Sequence, residues 1–257
     1  MKKHSEDICI HKDTFLITQT KEIELKNPIV FVTYPGPGIV GPIISREMVK
    51  SLGLKEIGFF KSNVLSPVTI FSDNVLKHPY LLYSNDEGTI LLISIDYPIS
   101  PDSYLVLSEG LLNWIEDHLD AKYLVCLDGI PVDVKPEKPV VITAAEKEVA
   151  LELKKYAVEI YDFGVVVGLS GALMSEALLR ELVGIVLMTP ATSKIPDPEA
   201  AISLVNVIND YFSLAIDTQP LLEEAEHIKK QLSMIAERQR SLEESQFLSK
   251  KAREGFI

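Results

Sequence analysis

The sequence predicts an α/β fold, with a mixed, mostly parallel sheet covered by helices, followed by a long C-terminal helix. Three observations carry this reading. Apolar runs of strand length alternate with helix-length amphipathic segments, the pattern of a parallel sheet with both faces covered. Residues 56–97 instead break into short apolar runs separated by turn residues such as Asn85-Asp86-Glu87-Gly88, which predicts that part of the sheet is antiparallel. Beyond Pro220 the apolar spacing becomes a heptad.

Taken in order, "TFLIT" and "IVFVTY" (within 14–34) read as strands, and a glycine-rich loop and a helix over about 41–52 follow. "EIGFFK" (56–61), "VTIFS", "YLLYS" and "TILLISIDYP" read as strands. "PDSYLVLSEGLLNWIEDHL" (101–119) reads as a helix with Leu105, Leu112 and Ile115 on one face and Pro101 in its first turn. "KYLVCLDG" and "KPVVITAA" are strands, and "EKEVALELKKY" is an amphipathic helix. "DFGVVVG" reads as a buried strand, "ALMSEALLREL" as a helix and "GIVLMTP" as a strand. "DPEAAISLVNVINDYF" is a helix opened by Asp197-Pro198, where Pro lacks only an N–H that the first turn leaves unpaired.

The chain has 257 residues, 47% of them hydrophobic, enough for a full core. Its net charge of -12 disfavours binding to phosphate backbones. Residues 221–257 hold seven acidic and seven basic side chains, so the body before them carries the whole acidic excess. That predicts a boundary near Pro220, with domains 1–220 and 221–257. No apolar run is long enough for a membrane span. The N-terminus "MKKHSEDICIHKD" has no apolar core behind its lysines, and the expectation is no secretory signal. Cys9 and Cys126, without motif spacing, suggest a reducing, cytoplasmic setting.

Gly36, Gly38 and Gly41 are spaced G-x-G-x-x-G after a strand, as in a dinucleotide cradle. Pro35, Pro37 and Pro42 flank them, and Pro37 removes a potential phosphate donor. The acid that should close the second strand is replaced by Lys61. A stiff structural turn fits better than a cofactor site. "GLSGA" (168–172) approaches a nucleophile elbow, but Ala172 stands where the motif has glycine. Of His4, His11, His78, His118 and His227, only His78 falls in a central loop. Gly168 and Gly171 read better as the start of a helix that approaches the sheet closely. Asp162-Phe163-Gly164 spells a kinase triplet without the other kinase parts. Asp96, Asp128 and Asp133 follow strands, where ligand-facing residues of such sheets often sit, although exposed strand ends are commonly acidic too. Nothing in the spacing of His, Cys or carboxylates points to a metal or cofactor.

In the tail, Leu221, Ala225, Ile228, Leu232, Ile235, Gln239 and Leu242 alternate in steps of four and three. About 30 helical residues reach roughly 45 Å. Each Leu or Ile gains about 1.5–3 kcal/mol if covered, whether by a second copy, the body or another protein.

Together, "YPGPGIVGPIISREMVKSLGL", "DFGVVVGLSGALMSEALLRELVGIVLM" and "IPDPEAAISLVNVI" resemble the proteasome assembly chaperone family in its archaeal form, over roughly residues 27–220. The resemblance implies a three-layer α/β/α sandwich like that of nucleoside phosphorylases and related hydrolases, without their active site. It also implies homo- or hetero-oligomers and binding to α subunits of the proteasome core particle. Members often end in a hydrophobic–tyrosine–any tail that enters pockets between α subunits, where the carboxylate meets a lysine. The corresponding residues here are Gly255, Phe256 and Ile257. Phe256 keeps the penultimate ring without the hydroxyl, and Gly255 offers no side chain. The expectation is a non-enzymatic assembly factor that takes no cofactor. The alternative is a nucleoside- or nucleotide-binding, phosphorylase-like enzyme.

Overall fold

A computed structural model of the protein describes residues 7–9, 15–21, 23–72, 74–138, 140–161, 163–193 and 195–228. The chain divides into two compact units, Met1–Thr218 and Gln219–Ile257. The first is built on twelve described strands: β1 (Asp7–Cys9), β2 (Phe15–Gln19), β3 (Ile29–Thr33), β4 (Lys55–Ser62), β5 (Ile70–Ser72), β6 (Val75–Lys77), β7 (Tyr80–Ser84), β8 (Ile90–Ile95), β9 (Tyr123–Val132), β10 (Val141–Ala145), β11 (Val158–Ile160) and β12 (Gly184–Thr192). Its helices are α1 (Val40–Ser51), α2 (Tyr104–His118), α3 (Lys147–Leu153), α4 (Gly168–Leu179) and α5 (Pro198–Phe212).

Ten strands form one sheet in the order β1-β2-β4-β7-β8-β3-β9-β12-β10-β11. Its centre, β8-β3-β9-β12, is parallel. On one side β8, β7, β4, β2 and β1 pair antiparallel, and on the other β10 runs antiparallel to β12. The antiparallel part therefore extends beyond the hairpin-rich middle. β5 and β6 form a separate hairpin, and β6 has no counterpart in the strands expected from sequence.

The central strands are apolar on both faces because both are covered. Val30, Val32, Leu91, Ile93, Leu124, Cys126 and Val186 share one core with residues of α2 and α4. The alternate residues Phe31, Leu92, Val125, Leu127, Ile185 and Leu187 are equally buried. Alternation along a strand sends them to the opposite face. There α1 packs on β3, β8 and β9, α5 packs on β12 and β10, and the two helices touch each other.

Two expectations are corrected. The buried stripe of α2 is Leu107, Leu111, Leu112, Trp114 and Ile115, whereas Leu105 is exposed. Pro101–Ser103 form a separate 3-10 turn, so α2 begins at Tyr104 and Leu105 stands in its first turn, at the margin of the covered stripe. "DFGVVVG" is not a buried strand. The strand in this region is β11, and Phe163, Val165 and Val167 after it are exposed. A continuous apolar run carries no period, so it cannot distinguish a core strand from a surface segment.

In the second unit, residues 219–228 are helical, with Leu221 and Ala225 buried, Ile228 half-buried and Leu222 open. Leu232, Ile235, Leu242, Gly255, Phe256 and Ile257 lie outside the described residues. Among the described residues, no helix is long and apolar enough to cross a membrane.

A methyl group added at Gly41 would meet the backbone of Tyr34, with its nitrogen at 2.7 Å, and neither backbone can yield cheaply. Gly53 has φ +60° and open space around it. Gly41→Ala is expected to lower unfolding stability by about 2–3 kcal/mol through overpacking. Gly53→Ala is expected to cost about 1–2 kcal/mol, from left-handed backbone strain alone. Urea denaturation of the two variants checks the difference.

Candidate functional site

The carboxyl ends of the parallel strands are where ligands bind in open α/β sheets. Here β3 ends at Thr33, and Tyr34-Pro35-Gly36 leads into a 3-10 turn, Pro37–Ile39, before α1. Pro37 suits the first position of that turn. Gly38 has φ +67° and Ile39 φ 45°, so the chain reverses in two left-handed steps. The Ile39 N–H donates to the Gly36 carbonyl at 3.0 Å, and the Gly38 carbonyl accepts from the Asp197 N–H at 2.9 Å.

The glycines are set by close approach. A Cβ on Gly36 would stand 2.7 Å from Asp128 Oδ1, and one on Gly38 would stand 2.7 Å from the Asp197 Cβ. Across the gap, a Cβ on Gly129 would meet the Pro37 carbonyl oxygen at 2.5 Å. The glycines are thus required by the close approach of the loop to Asp128, Asp197 and β9. Gly171 lies against the Val166 carbonyl, while Gly168 has φ +74° with nothing near it.

Beneath the loop, Tyr34, Asp128 and Ser170 form a cluster. The Tyr34 hydroxyl donates to Asp128 Oδ2. Ser170 Oγ lies 2.7 Å from the Tyr34 hydroxyl and donates to Asp128 Oδ2 at 3.2 Å. The Ser170 N–H donates to the Tyr34 oxygen at 3.3 Å, and the Gly129 N–H to Asp128 Oδ1 at 2.7 Å. Burial pushes the Asp128 carboxyl above its ordinary range, against the opposing effect of these donors. Burial, then the nearby Asp128 charge, raises the Tyr34 phenol and the Cys126 thiol.

Sequence reasoning placed Asp128 after its strand, but β9 runs on to Val132, so Asp128 lies inside the sheet. Ser170 sits in the first turn of α4, fully buried, and faces a tyrosine and a carboxylate rather than a histidine. Tyr34 was missed. Its only sequence signal was a polar-tipped ring at the end of an apolar strand, next to the glycine loop. His78 is committed elsewhere, with Nδ1 beside the backbone of Tyr80. Asp96 accepts from Ser94 at 2.8 Å, and Asp133 is exposed.

A second carboxylate, the buried Asp197, caps α5 by accepting from the Ala200 N–H at 3.1 Å. It also accepts from the Thr192 N–H at 3.0 Å and from the Lys135 ammonium, which reaches Glu199 at 3.2 Å as well. At the opposite, amino-terminal ends of β3 and β9 lies a cleft of about 380 Å³, walled by Tyr123, Tyr156, Tyr211 and Phe212 with Lys122 and Lys155. The carboxyl-end cluster thus spends its polar groups on one another.

The profile of the PAC2 family matches residues 30–236. The chain belongs to the PAC2 family. This PAC2 protein is 33% identical over 225 residues to an uncharacterised protein of Methanocaldococcus jannaschii, covering 88% of this chain and 92% of that one. Among solved structures it resembles Pyrococcus furiosus PbaA, described as an archaeal homologue of proteasome-assembly chaperone. The TM-score is 0.78 at 25% identity, over 94% of this chain and 99% of PbaA. A Thermoplasma acidophilum protein of unknown function aligns with TM-score 0.74 and 30% identity, over 87% of this chain and 91% of that one. Pyrococcus furiosus PbaB, an archaeal proteasome activator, shares the fold at TM-score 0.78 and 20% identity, over 88% of this chain and all of PbaB.

A carboxyl whose folded pKa lies above its unfolded value stabilises the fold fully below the unfolded pKa. That contribution is lost as pH rises through the folded value. Wild-type stability in urea is therefore expected to fall more steeply than that of Asp128→Asn from about pH 4 towards neutrality. Parallel curves would show that Asp128 titrates as an ordinary carboxyl.

Proposed function

We propose that this PAC2 protein is a non-enzymatic chaperone that assists assembly of the proteasome core particle by binding its α subunits. The single observation that carries the reading is the likeness to PbaA along nearly the whole of both chains. In this reading residues 1–220 form a three-layer α/β/α domain that works by presenting surfaces in the cytoplasm. Residues 221–257 form an amphipathic, coiled-coil-like helix with Leu221, Ala225, Ile228, Leu232, Ile235 and Leu242 on its seam. Gly255, Phe256 and Ile257 form the tip that enters the α-subunit pocket, and the protein associates with copies of itself or with a paralogue.

The buried polar cluster is consistent with a protein that does no bond-making chemistry. Ser170 is sealed from solvent, and Gly36 sits against the Asp128 carboxylate. A nucleophile or general base has to reach its substrate. The cluster's position at the strand ends is also the one feature that favours the alternative, a nucleoside- or nucleotide-binding enzyme.

Folded core-particle α subunits are expected to retain the full-length protein in a pull-down. Deleting residues 255–257 is expected to weaken retention at least tenfold, and Phe256→Ala to weaken it measurably. No retention of the full-length protein would overturn the chaperone reading. Retention unchanged by the deletion would move binding from the tail to the body. For the alternative, a nucleoside or nucleotide at 100 times its dissociation constant would raise stability by about 2.7 kcal/mol. A thermal shift that disappears in Asp128→Asn would favour that alternative.

A further inference from the structure

The cleft of about 380 Å³ at the amino-terminal ends of β3 and β9 is walled by rings that hold one another edge to face. The ring centres of Tyr156 and Tyr211 are 5.6 Å apart, those of Tyr211 and Phe212 4.7 Å, and those of Phe212 and Tyr123 5.9 Å. Phe212 also stands edge-on to the fully buried Phe31 at 5.5 Å, which fixes the series to the core. Aromatic pairs prefer such offset and edge-to-face arrangements, so the rings are preorganised. None of the four wall rings is fully buried, and each keeps part of its surface open.

Two ammoniums line the same cleft. Lys155 belongs to the 3-10 turn Lys154–Tyr156 after α3, where a helix end already favours a cation. Lys122 immediately precedes β9 and has no such reason to be basic. Among the described residues neither ammonium pairs with a carboxylate, and Lys122 Nζ lies 5.4 Å from the centre of the Tyr123 ring. Glu152, the one acid among the described lining residues, accepts from the Tyr211 hydroxyl at 3.1 Å. Burial, then that hydrogen bond, raises the Tyr211 phenol, which therefore remains a neutral donor. The cleft thus sets two positive charges against one negative on a chain of net charge -12. A local field opposite in sign to the rest of the surface gathers anions. The exposed apolar side chains of Phe163, Val165, Leu178 and Leu179 carry no charge that would select a ligand.

We propose that this cleft binds a small planar aromatic anion, with its ring among the aromatic side chains and its carboxylate or phosphate towards Lys122 and Lys155. A neutral ring would gain only the apolar walls, and a bare anion only the ammoniums, so the two halves belong to one ligand. A cationic ligand would meet two like charges and a carboxylate already engaged by Tyr211. Small-molecule pockets run from about 300 to 1,000 Å³. This one lies at the lower end, which suits one ring system with one anionic group and falls short of a dinucleotide. Neither the chaperone role nor a site at the carboxyl ends of the strands requires such a ligand. The Asp128 cluster lies at the opposite end of the strands, so mutation can tell the two places apart.

The test is isothermal titration calorimetry on the full-length protein with adenosine monophosphate, indoleacetate and phenylpyruvate, and with adenosine and inorganic phosphate as the separate halves. At least one aromatic anion is expected to bind with a dissociation constant below about 1 mM, and adenosine and phosphate at least tenfold more weakly. Binding of the monophosphate alone makes phosphate the anionic group, binding of the acids alone makes it a carboxylate, and either supports the site. Lys122 and Lys155 are exposed, so Lys122→Ala/Lys155→Ala should keep the wild-type melting midpoint while weakening binding at least tenfold. Tyr156→Ala should weaken it severalfold, and Asp128→Asn should bind as the wild type does. On the wild type itself, affinity should fall between about 50 and 300 mM salt. Bound ligand should also slow hydrogen exchange over 152–156 and 211–213, which keeps the proposal testable if a variant fails to fold. No binding by any of the three anions, binding no tighter than that of the separate halves, or unchanged affinity in the lysine variant would each overturn it. Binding lost in Asp128→Asn but kept in the lysine variant would also overturn it, and would favour the enzyme alternative at the other end of the sheet.

Discussion

The carboxyl end of the sheet is organised by how closely the loop after β3 can lie against β9, β12 and α5. Backbone meets backbone there at distances that exclude any side chain. Gly129 makes room for the Pro37 carbonyl, and Gly38 makes room for Asp197, whose N–H donates to the Gly38 carbonyl. The seat holds Ile39 in the left-handed region, which a β-branched residue rarely adopts. Such a conformation persists only where the surroundings over-determine it. Two carboxylates stand on either side of this seat, the half-buried Asp128 by Gly36 and the buried Asp197 beside Gly38. Local donors surround each, and the Lys135 ammonium pairs with Asp197, whereas at Asp128 the cost of burial still outweighs its donors.

This arrangement keeps the framework of an open α/β sheet while packing the loop after β3 tightly onto its carboxyl end. The glycine spacing resembles a phosphate cradle, yet Gly36 stands against the Asp128 carboxylate, Gly38 against the Cβ of Asp197 and Gly41 against the backbone of Tyr34. The serine in a near-elbow sequence is turned into a structural strut between Tyr34 and Asp128. These local sequences mark tight packing in the fold.

Much of the fold was legible in the residues. The apolar runs of β3, β8, β9 and β12 are long, bounded by turn signals and interleaved with helices, so their identity as a covered parallel core follows from pattern alone. Asp197-Pro198 announced the start of α5, and the Asp197 side chain caps it. The parts that escaped did so for physical reasons. Leu105 was misplaced because it stands in the first turn of α2, at the margin of the buried stripe, and spacing alone does not show where the cover over a stripe ends. The stretch after β11 was misread because valine-rich sequence fits a core strand and an apolar surface equally well. Tyr34 could not be paired with Asp128 and Ser170 because they are 94 and 136 residues away along the chain. Spacing says nothing about a contact made through the fold.

The hydrogen bond from the Ser170 N–H to the Tyr34 oxygen ties the first turn of α4 to the end of β3. A helix pinned at one end by a backbone donor cannot roll about its axis without breaking that bond. Its azimuth is therefore keyed in the interior, by a tyrosine that never reaches the surface. The compass bearing of Leu178 and Leu179, some ten residues further along the same cylinder, is inherited from that hidden lock.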